Sequence, residues 1–165
     1  MNRALALVLA AVAVVLAGCE STATKPTEPP LVARFYLETK PNETGIAVSL
    51  PQSGVTINVS PKPVLVEYDI VNAEVAQVDL GRCLLLQVGP QATRDLYRFS
   101  VGAVGRRLVL ALNDQFVGAR RIEGAMSDGA VLIFVEMPDD QLPEVVARLK
   151  RTSVEVAEAA RKAKR

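Results

Sequence analysis

The sequence predicts an α+β domain with a largely antiparallel sheet, a central β-hairpin and two principal helices, and three observations predict it. Short apolar and β-branched runs recur between Pro- and Gly-bearing turns across residues 31–88. A long apolar stretch, residues 108–119, breaks in its middle at Asn113-Asp114. Two later segments carry apolar residues at helical rather than alternating spacing.

Taken in order, residues 32–38 (VARFYLE) alternate as a strand does. Residues 45–50 and 55–59 read as two more strands, joined through Pro51-Gln52-Ser53-Gly54, a turn composition between β-branched runs. Pro61 and Pro63 interrupt the chain and mark an edge or a crossing. Residues 64–70, 73–78 and 83–88 continue in β style until Gly89-Pro90. In residues 91–100, Ala92, Leu96 and Phe99 fall on one helical face, and Gly102 and Gly105 close the helix.

Residues 108–119 then read as a two-residue hairpin, because Asn and Asp tolerate the positive φ angles such a turn requires. That turn pairs Leu110 with Val117 and Ala111 with Phe116, and apolar residues on both faces predict a covered, central position. Ser127-Asp128-Gly129 is a further turn before a strand over 130–136. Asp139 or Asp140 would cap the last helix, over 140–160, with Pro143 in its first turn and Leu142, Val145, Val146 and Leu149 as its buried stripe.

The order of these pieces over about residues 70–150 resembles the head subdomain in the first periplasmic domain of SecD, the export-motor subunit of the Sec translocase. The resemblance runs from Ile70-Val71-Asn72-Ala73 through strand and helix to Val104-Gly105-Arg106-Arg107-Leu108. It continues through the hairpin, Ile122 and Ser127-Asp128-Gly129 to the acidic helix start Pro138-Asp139-Asp140. The family's Asp-Gly hairpin is Asn113-Asp114 here, and its Ser-Ala-Pro segment is replaced by Gly118-Ala119-Arg120. No transmembrane helices follow, so what the resemblance implies is contact with exported polypeptides or an envelope protein, and not a proton-driven motor. The alternative is a structural envelope lipoprotein that assembles with itself or with a wall-associated partner.

The first thirty residues carry an export pattern. Arg3 precedes thirteen apolar residues, 4–16, which are fewer than the roughly 20 needed to span a bilayer. They suit the h-region of a removable signal peptide. Leu16-Ala17-Gly18-Cys19 is similar to a bacterial lipobox and marks Cys19 for lipidation. The expected organisation is a signal peptide over 1–18, a lipidated tether over 19–30, a single domain over 31–160 and a basic tail over 161–165. Pro26, Pro29 and Pro30 make the tether extended. Glu20 follows the cysteine where Asp would signal inner-membrane retention, which favours the outer membrane, with the domain facing the periplasm.

Charge and composition narrow the function classes. Loss of residues 1–18 removes only Arg3 among the charged residues, leaving eighteen basic and eighteen acidic side chains. That balance argues against nucleic-acid binding, which normally shows a basic face. The chain has no histidine, which removes the usual general base, and no metal-ligand spacing is evident. The expectation is therefore a non-enzymatic domain without cofactor. Cys83 sits in an apolar strand and reads as a buried small hydrophobe rather than a nucleophile.

Four arginines complete the candidate residues. An unbroken hairpin register sets Arg107 opposite Arg120 and Arg106 opposite Arg121, and like charges facing across strands are destabilising. Either solvent and nearby acids such as Glu123, Glu136 or Asp95 offset the repulsion, or Arg106, Arg107, Arg120 and Arg121 form a contact for an anion or partner. The basic tail is read as a solvated, fraying helix end.

Overall fold

A computed structural model describes residues 29–163. The described chain runs β1 (Ala33–Leu37), β2 (Ile46–Ser49), β3 (Thr56–Val59), β4 (Ile70–Val78), β5 (Gly81–Val88), α1 (Pro90–Val101), β6 (Arg107–Leu112), β7 (Gln115–Arg121), β8 (Ala130–Ile133) and α2 (Leu142–Ala163). The strands form two three-stranded sheets, β1-β6-β7 and β4-β5-β8, and a two-stranded ribbon, β2-β3. Every strand pair in them is antiparallel.

The β6–β7 hairpin is central, as its two-faced apolar sequence predicts. Leu108, Val109, Leu110 and Ala111 are all at most 1% exposed. Asn113 and Asp114 both take positive φ, 46° and 65°, the signature of a two-residue primed turn. On one face, Leu108, Leu110 and Leu112 join Phe35 of β1, Leu84 and Leu86 of β5, Leu96 of α1 and Leu142 and Leu149 of α2 in the main core. On the other face, Val109 packs beneath Val48, Leu50, Ile57 and Val59, so the β2-β3 ribbon roofs the sheet. Tyr36 and Phe116 flank this second core with ring centroids 5.3 Å apart.

The helices start and stop as their sequences dictate. Gly89 sits at the cap of α1 in an extended conformation and Pro90 opens the helix, where its missing N–H costs nothing. Ala92, Leu96 and Ser100 form the buried stripe, while Phe99 is half-buried against the core and Tyr97 is exposed. Leu142, Val146, Leu149 and Thr152 are the buried stripe of α2, and Val145 packs half-buried beside them. The Thr152 hydroxyl accepts a hydrogen bond from the Leu31 N–H at 3.0 Å, tying the lead-in of β1 to this helix.

Four expectations need correction. Residues 64–70 are not a strand, because Pro61 and Pro63 precede them and Asp69 closes a turn by accepting the Val66 N–H. Only Leu65 bridges, to Phe35, while Ile70 to Val78 forms one strand with an irregularity between Ile70 and Asn72. β8 ends at Ile133 rather than 136, because the chain leaves β5 and the Glu136 N–H turns to the Val117 carbonyl at 2.6 Å. α2 begins at Leu142, entered through backbone bonds from Gln141 to Pro138 and from Leu142 to Asp139, so neither Asp139 nor Asp140 stands next to its first residue.

The predicted hairpin register is the fourth. Ala111 does pair with Phe116, but Leu110 pairs with Gly118, so Val117 is the extra residue of a β-bulge. Downstream, each partner moves by one: Arg107 faces Arg121, and Arg120 faces Leu108.

Candidate functional site

The bulge brings β7 into contact with the chain that follows β8. Gly118 lies so close that a Cβ there would run into the Phe134 carbonyl and meet the Val135 backbone at 3.1 Å. Only glycine permits this crossing. From it, β7 and β8 diverge as the facing edges of two different sheets. A groove of about 730 Å³ opens between them, walled by residues 119–128 and floored by Leu85, Leu132 and Phe134.

At the start of β6 lies a smaller cleft of about 430 Å³ where Glu38, Glu43, Arg106 and Arg107 meet. Glu38 follows β1 and is bidentate to Arg107: Nε donates to Oε2 at 3.0 Å and Nη2 to Oε1 at 2.5 Å. The Arg107 N–H adds a third bond to Oε2 at 2.8 Å. These bonds hold the Glu38 carboxyl below its usual pKa, against the opposing effect of burial. Arg106 donates from Nε to the Glu38 carbonyl at 2.6 Å and pairs with Glu43 at 3.7 Å.

The structure thus splits the four arginines. Arg106 and Arg107 are engaged by Glu38 and Glu43, acids from the β1 side that the register argument did not name. Of the acids it did name, Asp95 pairs with Arg98, and Glu136 accepts the N–H groups of Gln52 and Ser53, pinning the turn of the β2-β3 roof. Arg120 reaches across the groove and donates from Nη1 to the Leu132 carbonyl at 3.0 Å. Arg121 is exposed at the groove wall, opposite Arg107, with no acidic partner among the described residues.

Cys83 is fully buried, its Sγ 3.6 Å from the Ala76 carbonyl, and burial raises its pKa despite the nearby Arg120 charge. A buried thiol with a raised pKa is unsuited to nucleophilic work. Among the described residues, no group of three or more His, Cys, Asp or Glu is placed to hold a metal ion. No helix among them is long and apolar enough to cross a membrane. Cys19, with the predicted signal peptide and most of the tether, lies outside the described residues, as does the end of the basic tail.

Three solved structures are similar to this chain in fold. One, of a membrane component SecDF that enhances protein export, aligns over 73% of this chain and 62% of its own at a TM-score of 0.57 and 17% identity. The chain carries a SecDF-like domain. SecDF in a "super-membrane-facing" form aligns over 73% of this chain and 18% of its own, with a TM-score of 0.59 and 16% identity. The translocon-associated SecDF of Thermus thermophilus aligns over 76% and 20%, with a TM-score of 0.51 and 17% identity. The chain therefore spans about three fifths of the first structure and about a fifth of the other two. Neither a protein-family model nor a curated protein matches the sequence. The likeness takes in more than residues 70–150, where the resemblance is legible in sequence, and at this level of identity it is a likeness of fold.

The groove is the feature that sequence reasoning missed. Its signal was present in β8 and the residue after it, where Val131 and Ile133 alternate with Leu132 and Phe134. A strand apolar on both faces needs cover on both, yet Phe134 stays 39% exposed and Leu80, at the groove rim, 85%.

Proposed function

We propose that this chain is a membrane-anchored envelope lipoprotein whose SecDF-like domain is a non-enzymatic binding module for exported polypeptide. The observation that carries the reading is the shared fold, since the first of the similar structures is described as a membrane component that enhances protein export. The groove between β7 and β8 supports it by offering an apolar floor of Leu85, Leu132 and Phe134 beside Arg120 and Arg121. Of the four candidate arginines, Arg120 and Arg121 make the partner contact in this reading, while Arg106 and Arg107 are tied to Glu38 and Glu43 at the start of β6.

The anchor rests on Leu16-Ala17-Gly18-Cys19, with lipid on Cys19 and the domain facing the periplasm. A single acyl chain binds membranes only marginally, so stable attachment requires the two or three chains of a lipoprotein. The residue after the cysteine, Glu20, favours the outer membrane.

In-cell photo-crosslinking from the groove wall tests the binding role. Adducts with many exported chains support it, whereas a single fixed partner means a structural envelope protein. Cys19→Ala tests the anchor: the variant should leave the membrane fraction or accumulate as precursor, and unchanged membrane partition refutes lipidation.

A further inference from the structure

The β2-β3 roof leaves one sheet edge open. Its other strand, β3, is bonded on both sides. The Thr39 N–H donates to the Asn58 carbonyl at 2.8 Å and the Ser60 N–H to the Leu37 carbonyl at 2.9 Å, so Asn58 and Ser60 face the end of β1. Ile57 and Val59 then face β2, where their partners are Val48 and Ile46. The Leu50 N–H, which donates to the Val55 carbonyl at 3.0 Å, keeps the same phase. Ala47 and Ser49 therefore turn their N–H and C=O groups away from the ribbon. Both residues are exposed, and no hydrogen bond among the described residues meets those groups.

An unpaired edge is a template for another strand, and proteins blunt it with charge, proline or a cover. This edge is short and ends at Pro51, yet residues 44–61 contain no Asp, Glu, Lys or Arg in a chain that is 22% charged. No charge there repels a like strand. The edge also matches itself. Turned about a two-fold at Val48, antiparallel copies of β2 set Ala47 opposite Ser49, and these residues exchange both N–H and C=O groups. On the roof's inward face Ile46 comes opposite Leu50, and Val48 opposite its own copy. Ile46, 53% exposed in the single chain, thereby gains an apolar neighbour. Because residues 37–39 occupy the far side of β3, one such pairing uses up the free edge of each copy and closes as a dimer.

We propose that the β2 edge is a self-recognition surface, on which two copies of this chain join their roofs into one antiparallel sheet. The proposal is independent of what the β7–β8 groove binds. Two short strands bury little surface, so the dimer belongs to the weak, concentration-dependent class.

The test uses the full chain, in detergent micelles and in cell membranes. Sedimentation equilibrium in micelles should show monomer and dimer exchanging with concentration. Val48→Cys sets two thiols across the two-fold, at a non-hydrogen-bonded pair whose Cα atoms stand about 4.5 Å apart. That spacing admits a disulfide. Oxidation with copper phenanthroline should link Val48→Cys into a dimer and leave Leu80→Cys, exposed on the β4–β5 turn, as monomer. Ser49→Pro removes an outward N–H from each copy while leaving the bonds to β3, a placement that edge strands tolerate. It should weaken association roughly tenfold, the worth of the two lost hydrogen bonds, at wild-type melting temperature. Should that variant unfold, Ala47→Lys serves instead. It puts like charges astride the axis and should weaken the dimer at low salt, and less at high salt.

A chain that sediments as monomer at every concentration overturns the proposal. So does a dimer that withstands the edge variants, fails to link through Val48→Cys, or links equally well through Leu80→Cys, since its interface then lies elsewhere. Val48→Cys that links in cell membranes only to other proteins assigns the edge to a foreign strand, which also overturns self-recognition.

Discussion

The two flanks of the β6–β7 hairpin are made from the same materials and finished differently. At the start of β6, Arg106 and Arg107 are met by Glu38 and Glu43, and the sheet face beside them is roofed by β2-β3. Across the hairpin, Arg121 has no such acid, and Leu85, Leu132 and Phe134 floor an open groove. Apolar strand residues and arginines therefore serve as scaffold on one side and as accessible surface on the other. What separates the two is the covering element, which comes from a distant part of the chain.

The largest expected contrast lies in the apolar residues. Ile57, 1% exposed in the roof, should cost about 3 kcal/mol when replaced by alanine, through lost burial and the cavity left behind. Leu80, 85% exposed at the groove rim, should change stability by no more than about 0.5 kcal/mol when replaced by serine. Urea unfolding of the two variants measures the difference. Equal costs would mean the groove is closed in solution, and the contrast between the flanks would disappear.

Next comes the crossing that sets the closed end of the groove. Gly118→Ala pushes a methyl into the Phe134 carbonyl and the Val135 backbone, neither of which is a flexible side-chain end. Overpacking of this kind costs roughly 2–3 kcal/mol. The added strain should also part β7 from residues 134–136, so the Glu136 amide, bonded to the Val117 carbonyl, should exchange faster in the variant. Wild-type stability together with wild-type exchange at Glu136 would show that the two segments do not cross this closely.

A smaller effect is expected from the Glu38 ion pair. Its folded pKa is lowered by the hydrogen bond from Arg107, so the pair's stabilisation is complete above the ordinary carboxylate range, about 4.3. As pH falls through the lower folded value, the carboxyl protonates and that stabilisation is lost. Glu38→Gln should cost about 1–2 kcal/mol at neutral pH, the worth of charge-assisted hydrogen bonds at a partly buried site. Wild type and variant should then converge on acidification. Glu67 is lowered in the same way by Arg34 and titrates in both proteins, so the difference between their pH curves isolates Glu38. A gap that persists unchanged into acid would mean the carboxylate charge is not what Arg107 uses.

Local periodicity made most of the fold legible, because β6, the Asn113-Asp114 turn and the two helical stripes each declare themselves within a dozen residues. The bulge at Val117 did not, since it depends on the Glu136 amide arriving from another part of the chain. That single displaced residue changed which arginines face each other. The counter-ions were hidden for the same reason: Glu38 lies 69 residues from Arg107, so no spacing argument joins them. Strand 130–136 was read correctly in kind, yet its lack of cover on one face follows only from the sheet order.

The smallest effect is also the sharpest for the comparison, because one substitution should act with opposite sign at two facing positions. Arg107 and Arg121 are paired across β6 and β7, so each contributes to the same cross-strand repulsion, worth about 0.2–1 kcal/mol. Arg121→Gln relieves that repulsion and gives up no ion pair among the described residues. Stability should hold or rise slightly, and the gain should shrink with added salt, which screens exposed charges. Arg107→Gln relieves the same repulsion but leaves Glu38 without its bidentate partner, so stability should fall. Thermal melts at low and high salt decide the matter. If Arg121→Gln destabilises as Arg107→Gln does, Arg121 is held by the fold, and both flanks of the hairpin are scaffold.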